Sequence, residues 1–125
     1  EWKVTEGPTI LKQDGLYYFF YSANDFRNID YAVGYAIADN PYGPWKKAED
    51  NPIIHRSQID INGSGHGDFF KDKDGKLKYV FHVHASGSEV SPRKTAIING
   101  DFAGNTSGPD KMVMDYGSVS YLYMK

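Results

Sequence analysis

The chain alternates short apolar runs with turns rich in glycine, proline, asparagine and aspartate. The strongest run, 16–23, reads Leu-Tyr-Tyr-Phe-Phe-Tyr-Ser-Ala and is too short for a buried helix. It therefore predicts a strand covered on both faces. A shorter strand is predicted at 9–12, and the Asp14-Gly15 pair between the two runs predicts a tight hairpin. Two further strands are predicted at 31–39 and 45–48.

The same order of runs recurs in the second half of the chain. Sliding the sequence by 61 positions places Leu16 on Leu77 and Tyr21 on His82. The repeat predicts strands at 67–71, 77–85, 94–99 and 111–115. Four strands over roughly 40 to 60 residues are typical of one β-propeller blade.

The sequence thus predicts an all-β fold with about two consecutive four-stranded antiparallel blades. We place these blade-like units at 6–60 and 64–115, with the remainder, 116–125, as the start of a further unit. A propeller needs at least about four blades to close. Two interpretations stay open: a small sandwich, or a partial propeller that belongs to a longer protein.

Composition narrows the class of protein. Lys and Arg number 14 against 16 Asp and Glu, and the net charge of −2 with a pI of about 6.1 argues against a nucleic-acid binder. No apolar stretch approaches the roughly 20 residues of a membrane span. Cysteine is absent, which excludes disulfides and thiolate chemistry. Ten Tyr, seven Phe and two Trp supply flat faces that suit sugar rings as well as a core.

Two short motifs open the two predicted units, Glu6-Gly7-Pro8 and Gly65-His66. The first strand of every propeller blade lines the central axis, so residues at the blade entries converge. We therefore expect Glu6 and His66 to lie close together. A surface glutamate before a proline turn and a hydrogen-bonding histidine are the alternative interpretations.

Further motifs follow along the chain at 17–22, at 33–36 and at Gly43-Pro44-Trp45, and Arg93 precedes an apolar strand. Together with the two blade entries, they resemble glycoside hydrolase family 43, the five-bladed β-propeller enzymes of hemicellulose degradation. The resemblance covers about 2–102. It implies that Glu6 is the general acid and that Arg93 contacts the substrate or the acid. It also implies that His66 lies under the active site beside a bound ion, often calcium held with waters.

The resemblance further implies an inverting mechanism, in which an acid and a base flank the scissile bond about 6.5–9.5 Å apart. The family's base and its pKa-modulating carboxylate are aspartates upstream of the Glu-Gly-Pro motif. Only five residues precede Glu6, and none is an aspartate. We expect a fragment of an enzyme that hydrolyses O-glycosidic bonds in arabinose- or xylose-containing plant polysaccharides. Alone, the fragment is expected to be inactive.

Several expectations concern ligands and partners. Tyr21, near the end of the aromatic strand, is expected to edge a sugar pocket. His82 and His84 lie two apart, but lack an evident third zinc ligand, so they are interpreted as packing or hydrogen-bonding residues.

Exposed strand edges favour self-association, with no nucleic-acid or membrane partner. Enzymes of this type are usually exported, which predicts a secreted or periplasmic location.

Two other function classes stay open from the sequence alone. One is a non-catalytic carbohydrate-binding module, in which aromatic residues stack on sugars and Glu6 has no role. The other is a structural β-repeat segment without a ligand of its own.

Overall fold

The computed structural model describes residues 5–23 and 27–122, with the side chains of Thr5 and Glu6 outside that description. The elements in chain order are β1 Thr5–Gln13, β2 Leu16–Ala23, β3 Ala32–Ala38, β4 Lys46–Lys47, α1 Arg56–Ile59, β5 Gly65–Lys71, β6 Leu77–Val83, β7 Lys94–Ala103 and β8 Lys111–Tyr121. Helix α1 is a single turn, and within the described ranges no helix has the length and apolar character needed to cross a membrane.

The strands pair in chain order into two four-stranded antiparallel sheets, β1-β2-β3-β4 and β5-β6-β7-β8. This confirms the predicted all-β fold of blade-like units. The hairpin predicted between the first two strands is also present. Gln13 pairs with Leu16, and the two loop residues, Asp14 and Gly15, have φ angles of 51° and 79°. Such positive values are what a two-residue hairpin loop requires.

The hydrophobic core lies between the two sheets. Phe69 bridges them, because its ring centroid lies 4.5 Å from that of Phe20 in the first sheet and 4.6 Å from that of Tyr79 in its own. The buried side chains around this contact include Tyr18, Val33, Tyr35, Phe81, Ile98 and Met112. Burial of each large apolar side chain stabilises the fold by roughly 1.5–3 kcal/mol.

Two tyrosine hydroxyls connect the sheets through hydrogen bonds. Tyr18 donates to the backbone carbonyl of Asp110 at 2.7 Å, and Tyr35 accepts from the backbone N–H of Met112 at 3.3 Å. Burial and the negative charge of Asp110 raise the pKa of Tyr18 above its ordinary value. These hydroxyls therefore stay protonated and hold the outer strand of the second sheet against the first.

Each sheet carries a bulge at the same place in its innermost strand. Gly7-Pro8 interrupts the register of β1, and His66-Gly67 interrupts that of β5. Gly7 has a φ of 60° and His66 a φ of 53°, so both bulges use a left-handed residue at their first position. Bulges of this kind often re-aim a side chain next to an active site.

The bulges fix how the two sheets correspond. Glu6 pairs with Ser22 and Gly65 pairs with His82 just before the bulges, so His82 is the counterpart of Ser22 at an offset of 60 positions. The predicted offset of 61, which placed Tyr21 on His82, is wrong by one residue. It matched buried aromatics with buried aromatics, whereas a one-residue shift moves every side chain to the other face of a strand.

The corrected correspondence shows how the sheets pack. The face of the first sheet that enters the core is the counterpart of the face of the second sheet that points away from the core. The sheets are thus stacked in the same sense, as successive propeller blades are, and not face to face as in a sandwich with equivalent inner faces. This favours the partial propeller over the small sandwich.

The last strand is longer than predicted. Residues 116–121 continue β8, where Ser120 pairs with Ile97 and Tyr121 with Ala96 after a shift in register. They belong to the second sheet, whereas the sequence assigned them to the start of a further unit. The end of the stretch 116–125 reads as an apolar strand, but the sequence pattern does not show which sheet that strand joins.

Candidate functional site

The two bulges lie side by side and form one wall of a cleft of about 530 Å³. Gly7 and Pro8 of the first sheet contribute to this cleft. The second sheet contributes residues from three strands, among them His66, Asp68, His82 and Thr95. The cleft therefore lies at the junction of the sheets, along the inner strands that would line a propeller axis.

Gly7 is in direct contact with His66. A β-carbon built on Gly7 would stand 3.2 Å from the Cα of His66 and 3.3 Å from its Nδ1. Because Gly7 follows Glu6 in β1, the backbone of the predicted acid lies one residue away from this contact. The carboxyl group of Glu6 is outside the described part of the structure, so its meeting with the imidazole stays a prediction.

Ser22 connects the two bulged strands. Its Oγ accepts a hydrogen bond from the backbone N–H of His66, and in the sheet it is the register partner of Glu6. Ser22 is fully buried. The sequence does not mark Ser22 as part of the site, because a serine within an aromatic strand gives no pattern that distinguishes a buried acceptor from a surface hydroxyl.

His82 packs against His66 within the cleft. The two imidazole rings are stacked, with centroids 6.1 Å apart and an interplanar angle of 20°. Burial, the positive charge of Arg93 and the neighbouring His66 lower the pKa of His82 below its ordinary value. The ring of His82 is therefore neutral at neutral pH.

Arg93 lies immediately before β7 and is half-buried. It is close enough to His82 for its charge to lower the pKa of that imidazole. Arg93 and His66 thus both lie near His82. Arg93 is not among the residues that line the cleft, so its contact with the substrate stays a prediction.

Tyr21 lies elsewhere. Successive residues of a strand point to opposite faces, so Tyr21 faces away from the side on which Ser22 meets His66. It is 7% exposed, packs with Ala23 and Ala36, and accepts a hydrogen bond from Nδ2 of Asn51 at 3.3 Å. Tyr21 does not line the cleft, and the sugar contact predicted for it has no support there.

The surroundings of His66 can be compared with what a calcium ion requires, which is six to eight oxygen ligands. The nearby carboxylate of Asp68 already accepts hydrogen bonds from Oγ1 of Thr9 at 2.7 Å and from the backbone N–H of Phe69 at 2.8 Å. Among the described residues, no three His, Asp or Glu side chains are grouped so as to hold a metal. These residues alone do not fit a calcium site, so calcium at His66 stays a prediction.

A larger cleft, of about 870 Å³, lies among the hairpin ends of both sheets and is lined by Gln13, Gly75, Asn99 and Asp101, among others. None of the predicted site residues lines it. The smaller cleft at the bulges is therefore the candidate functional site.

The sequence of the chain is similar to those of known proteins. Residues 1–105 match the family model described as glycosyl hydrolases family 43. A β-D-galactofuranosidase from Aspergillus niger is 31% identical over 77 residues, which are 62% of this chain and 22% of that protein. A β-xylosidase from Xylanibacter ruminicola is 38% identical over 71 residues, which are 57% of this chain and 19% of that protein.

A solved structure gives the same result for the fold. The crystal structure of an endo-1,4-β-xylanase from Bacteroides thetaiotaomicron superposes with a TM-score of 0.83 at 41% identity, over 93% of this chain and 38% of that one. The chain thus spans about a fifth of the length of the curated relatives and under two fifths of this xylanase.

Proposed function

Because the chain belongs to glycoside hydrolase family 43, we propose that it supplies the acid side of a glycosidase active site, with Glu6 as the general acid. One observation carries this proposal. The Glu-Gly-Pro motif lies in the bulge of β1, and that bulge packs directly against His66 in a cleft at the junction of the two blades. A motif placed at random on a surface turn would have no such neighbour.

The proposed reaction is hydrolysis of an O-glycosidic bond with inversion. The protonated carboxyl of Glu6 gives its proton to the glycosidic oxygen as the bond from that oxygen to the anomeric carbon breaks. A water on the opposite face of the sugar attacks the anomeric carbon and loses a proton to a carboxylate base. We propose that this base and the pKa-modulating carboxylate lie on blades outside this chain.

Arg93 and His66 have supporting roles in the proposal. The guanidinium of Arg93 offers a planar set of donors that suits sugar hydroxyls or the carboxylate of the acid. The imidazole of His66 lines the cleft beside Gly7. A calcium ion bound through His66 and waters would supply a fixed positive charge, and its remaining oxygen ligands would come from outside the described residues.

We propose a xylose- or arabinose-containing plant polysaccharide as the substrate. The names of the xylanase and the β-xylosidase among the relatives support the xylose part of this proposal. A polymer of this kind is met outside the cell, so we propose a secreted or periplasmic location.

The remaining blades are the proposed partners of the chain's outward faces. Ile10 is 49% exposed and Val113 is 52% exposed, which leaves apolar strand surface uncovered on both sheets. We propose that a chain confined to 1–125 self-associates through such surfaces and edges.

The test uses the natural full-length protein that contains this chain and two xylosides, one with an alkoxide and one with a 4-nitrophenolate leaving group. Glu6→Gln is expected to lower kcat by roughly 10²–10⁴ on the alkyl xyloside, whose leaving group needs a proton. The loss on the nitrophenyl xyloside is expected to be much smaller, because nitrophenolate leaves without protonation.

The matched control is Glu49→Gln, since Glu49 is exposed in the loop after β4. It is expected to keep full activity on both xylosides. The chain 1–125 by itself is expected to show no turnover, because it lacks the base. An equal effect of Glu6→Gln on both leaving groups, or turnover by the isolated chain that Glu6→Gln abolishes, would contradict the proposal.

A further inference from the structure

We infer that Ser22 is a positioning residue of this site: its hydroxyl anchors the bulge that carries His66 to β2, the strand paired with the strand that carries Glu6. The inference rests on the proposed function for its link to glycoside hydrolysis. Its structural basis is separate, and consists of one buried hydrogen bond, the register of two strands and the backbone conformation of His66.

The hydrogen bond joins the two sheets. Ser22 is 0% exposed, and its Oγ accepts from the backbone N–H of His66. At the bulge, the strand register that would give this N–H a partner within its own sheet is interrupted between Gly65 and Asp68. A buried N–H without an acceptor is costly, so the serine oxygen determines where the bulge lies.

The conformation of His66 makes this support necessary. Its φ of 53° lies in the left-handed region, which a residue with a β-carbon rarely adopts. Such conformations persist where the surrounding structure fixes them, and they cluster at functional sites. The hydrogen bond to Ser22 fixes the amide of the same residue whose imidazole enters the cleft.

Ser22 also lies on the strand that pairs with the proposed acid strand. It is the register partner of Glu6, one residue before the Gly7 bulge. The side chain of Ser22 thus connects β5 to β2, the strand that pairs with β1, so the placement of His66 relative to β1 depends on it. A shift of β5 along β1 would change the position of His66 relative to Glu6 at once.

In the second sheet, the residue at the position equivalent to Ser22 also contacts His66. His82 is the counterpart of Ser22, and its ring stacks on the imidazole of His66 at 6.1 Å. His66 is thus held at its backbone by one of these residues and at its ring by the other. The repetition indicates that this strand position serves to place His66, beyond filling the core.

The experiment compares three variants of the full-length protein. Ser22→Ala removes the acceptor, and Ser22→Cys keeps the volume but offers only a weak acceptor. The matched control is Ser118→Ala, because the Oγ of Ser118 also accepts a hydrogen bond from a backbone N–H, that of Asn99 at 2.8 Å, and neither residue lines the cleft at His66.

We expect Ser22→Ala and Ser22→Cys to lower kcat for a xyloside by about 10- to 100-fold, the usual effect of losing a residue that orients a site group, with little change in KM. Hydrogen exchange of the His66 amide is expected to accelerate, and the ring resonances of His66 to shift, in both variants. Ser118→Ala is expected to leave all three properties as in the unchanged protein.

The inference is overturned if Ser22→Cys keeps normal amide protection and ring resonances at His66, because volume alone would then explain the serine. If Ser22→Ala does not fold, the cysteine variant decides the question. An unchanged protein without glycosidase activity would refute the proposed function, while the exchange and resonance data would still decide for or against the role of Ser22.

Discussion

Gly7 and His66 approach so closely that a β-carbon on Gly7 would stand 3.3 Å from Nδ1 of the imidazole. Both residues begin a bulge, in the first strand of each sheet, and both have left-handed backbones. This geometry explains why glycine occupies the central position of the Glu-Gly-Pro motif. It permits the turn of the bulge, and it leaves room for the histidine of the next blade.

The first prediction compares two glycine substitutions. Gly7→Ala and Gly15→Ala both force an alanine into a left-handed conformation, at a cost of roughly 1–2 kcal/mol in the free energy of unfolding. Gly15 has nothing within 4 Å of its β-carbon position, whereas Gly7 meets His66. We therefore expect both variants to lose stability on urea unfolding, Gly7→Ala at least as much as Gly15→Ala, and in the full-length protein a clear loss of glycosidase activity for Gly7→Ala alone. Equal activity of the two variants would show that the Gly7–His66 contact has no role.

Much of the fold could be read from the sequence, because apolar runs and turn residues fix strands locally. The Asp14-Gly15 hairpin and the order of strands are of this kind. The offset between the two blades was missed, because it depends on bulges at Gly7 and His66 that leave no mark in the hydrophobic pattern. A bulge adds a residue to one strand only, so the register of the pair cannot be read from either strand alone.

The second prediction concerns the hydroxyl of Tyr35, which ties the two blades together. It donates to Oδ1 of Asp50 at 3.0 Å and accepts from the backbone N–H of Met112 at 3.3 Å. Tyr35→Phe leaves that buried N–H without an acceptor and is expected to lower the free energy of unfolding by about 1–3 kcal/mol.

The control for this variant is Tyr42→Phe, because Tyr42 is 94% exposed. It is expected to unfold at the same urea concentration as the unchanged protein. If both tyrosine variants were equally stable, the hydroxyl of Tyr35 would contribute nothing to the contact between the blades.

The third prediction is a pH dependence at Asp30. Its Oδ1 lies 2.8 Å from Nε of Arg56 and 3.1 Å from Nε2 of His55. The hydrogen bond from Arg56, and to a lesser extent that from His55, lower the pKa of Asp30 below its ordinary value. A carboxyl with a lowered pKa in the folded state stabilises the fold above its unfolded pKa of about 3.9, and this stabilisation is lost as pH falls through the folded pKa.

Asp30→Asn is therefore expected to lower the free energy of unfolding at pH 7 by up to about 1 kcal/mol, since the pair is partly exposed. The difference from the unchanged protein is expected to shrink as the pH falls well below 3.9. Urea unfolding across this pH range measures it, with Asp39→Asn as an exposed control. A difference that grows on acidification would contradict the assignment.

The candidate site could be predicted only in part. The two glycine motifs marked Gly7 and His66, which line the cleft, whereas the roles of Glu6 and Arg93 stay predictions. Ser22 and Tyr21 are neighbours within one aromatic run, and composition cannot tell which of them faces the next blade. That assignment depends on the strand register, which the three-dimensional structure provides.

The stacking of the two sheets in the same sense has a consequence for the whole assembly. Units that met through identical faces would close in pairs, and only an even number of them could be accommodated. Here each sheet contacts the next sheet with one face and the preceding sheet with the opposite face, as subunits of a heterologous ring do. Such a ring is not restricted to an even number of sheets. An odd number, five among them, closes as readily as an even one.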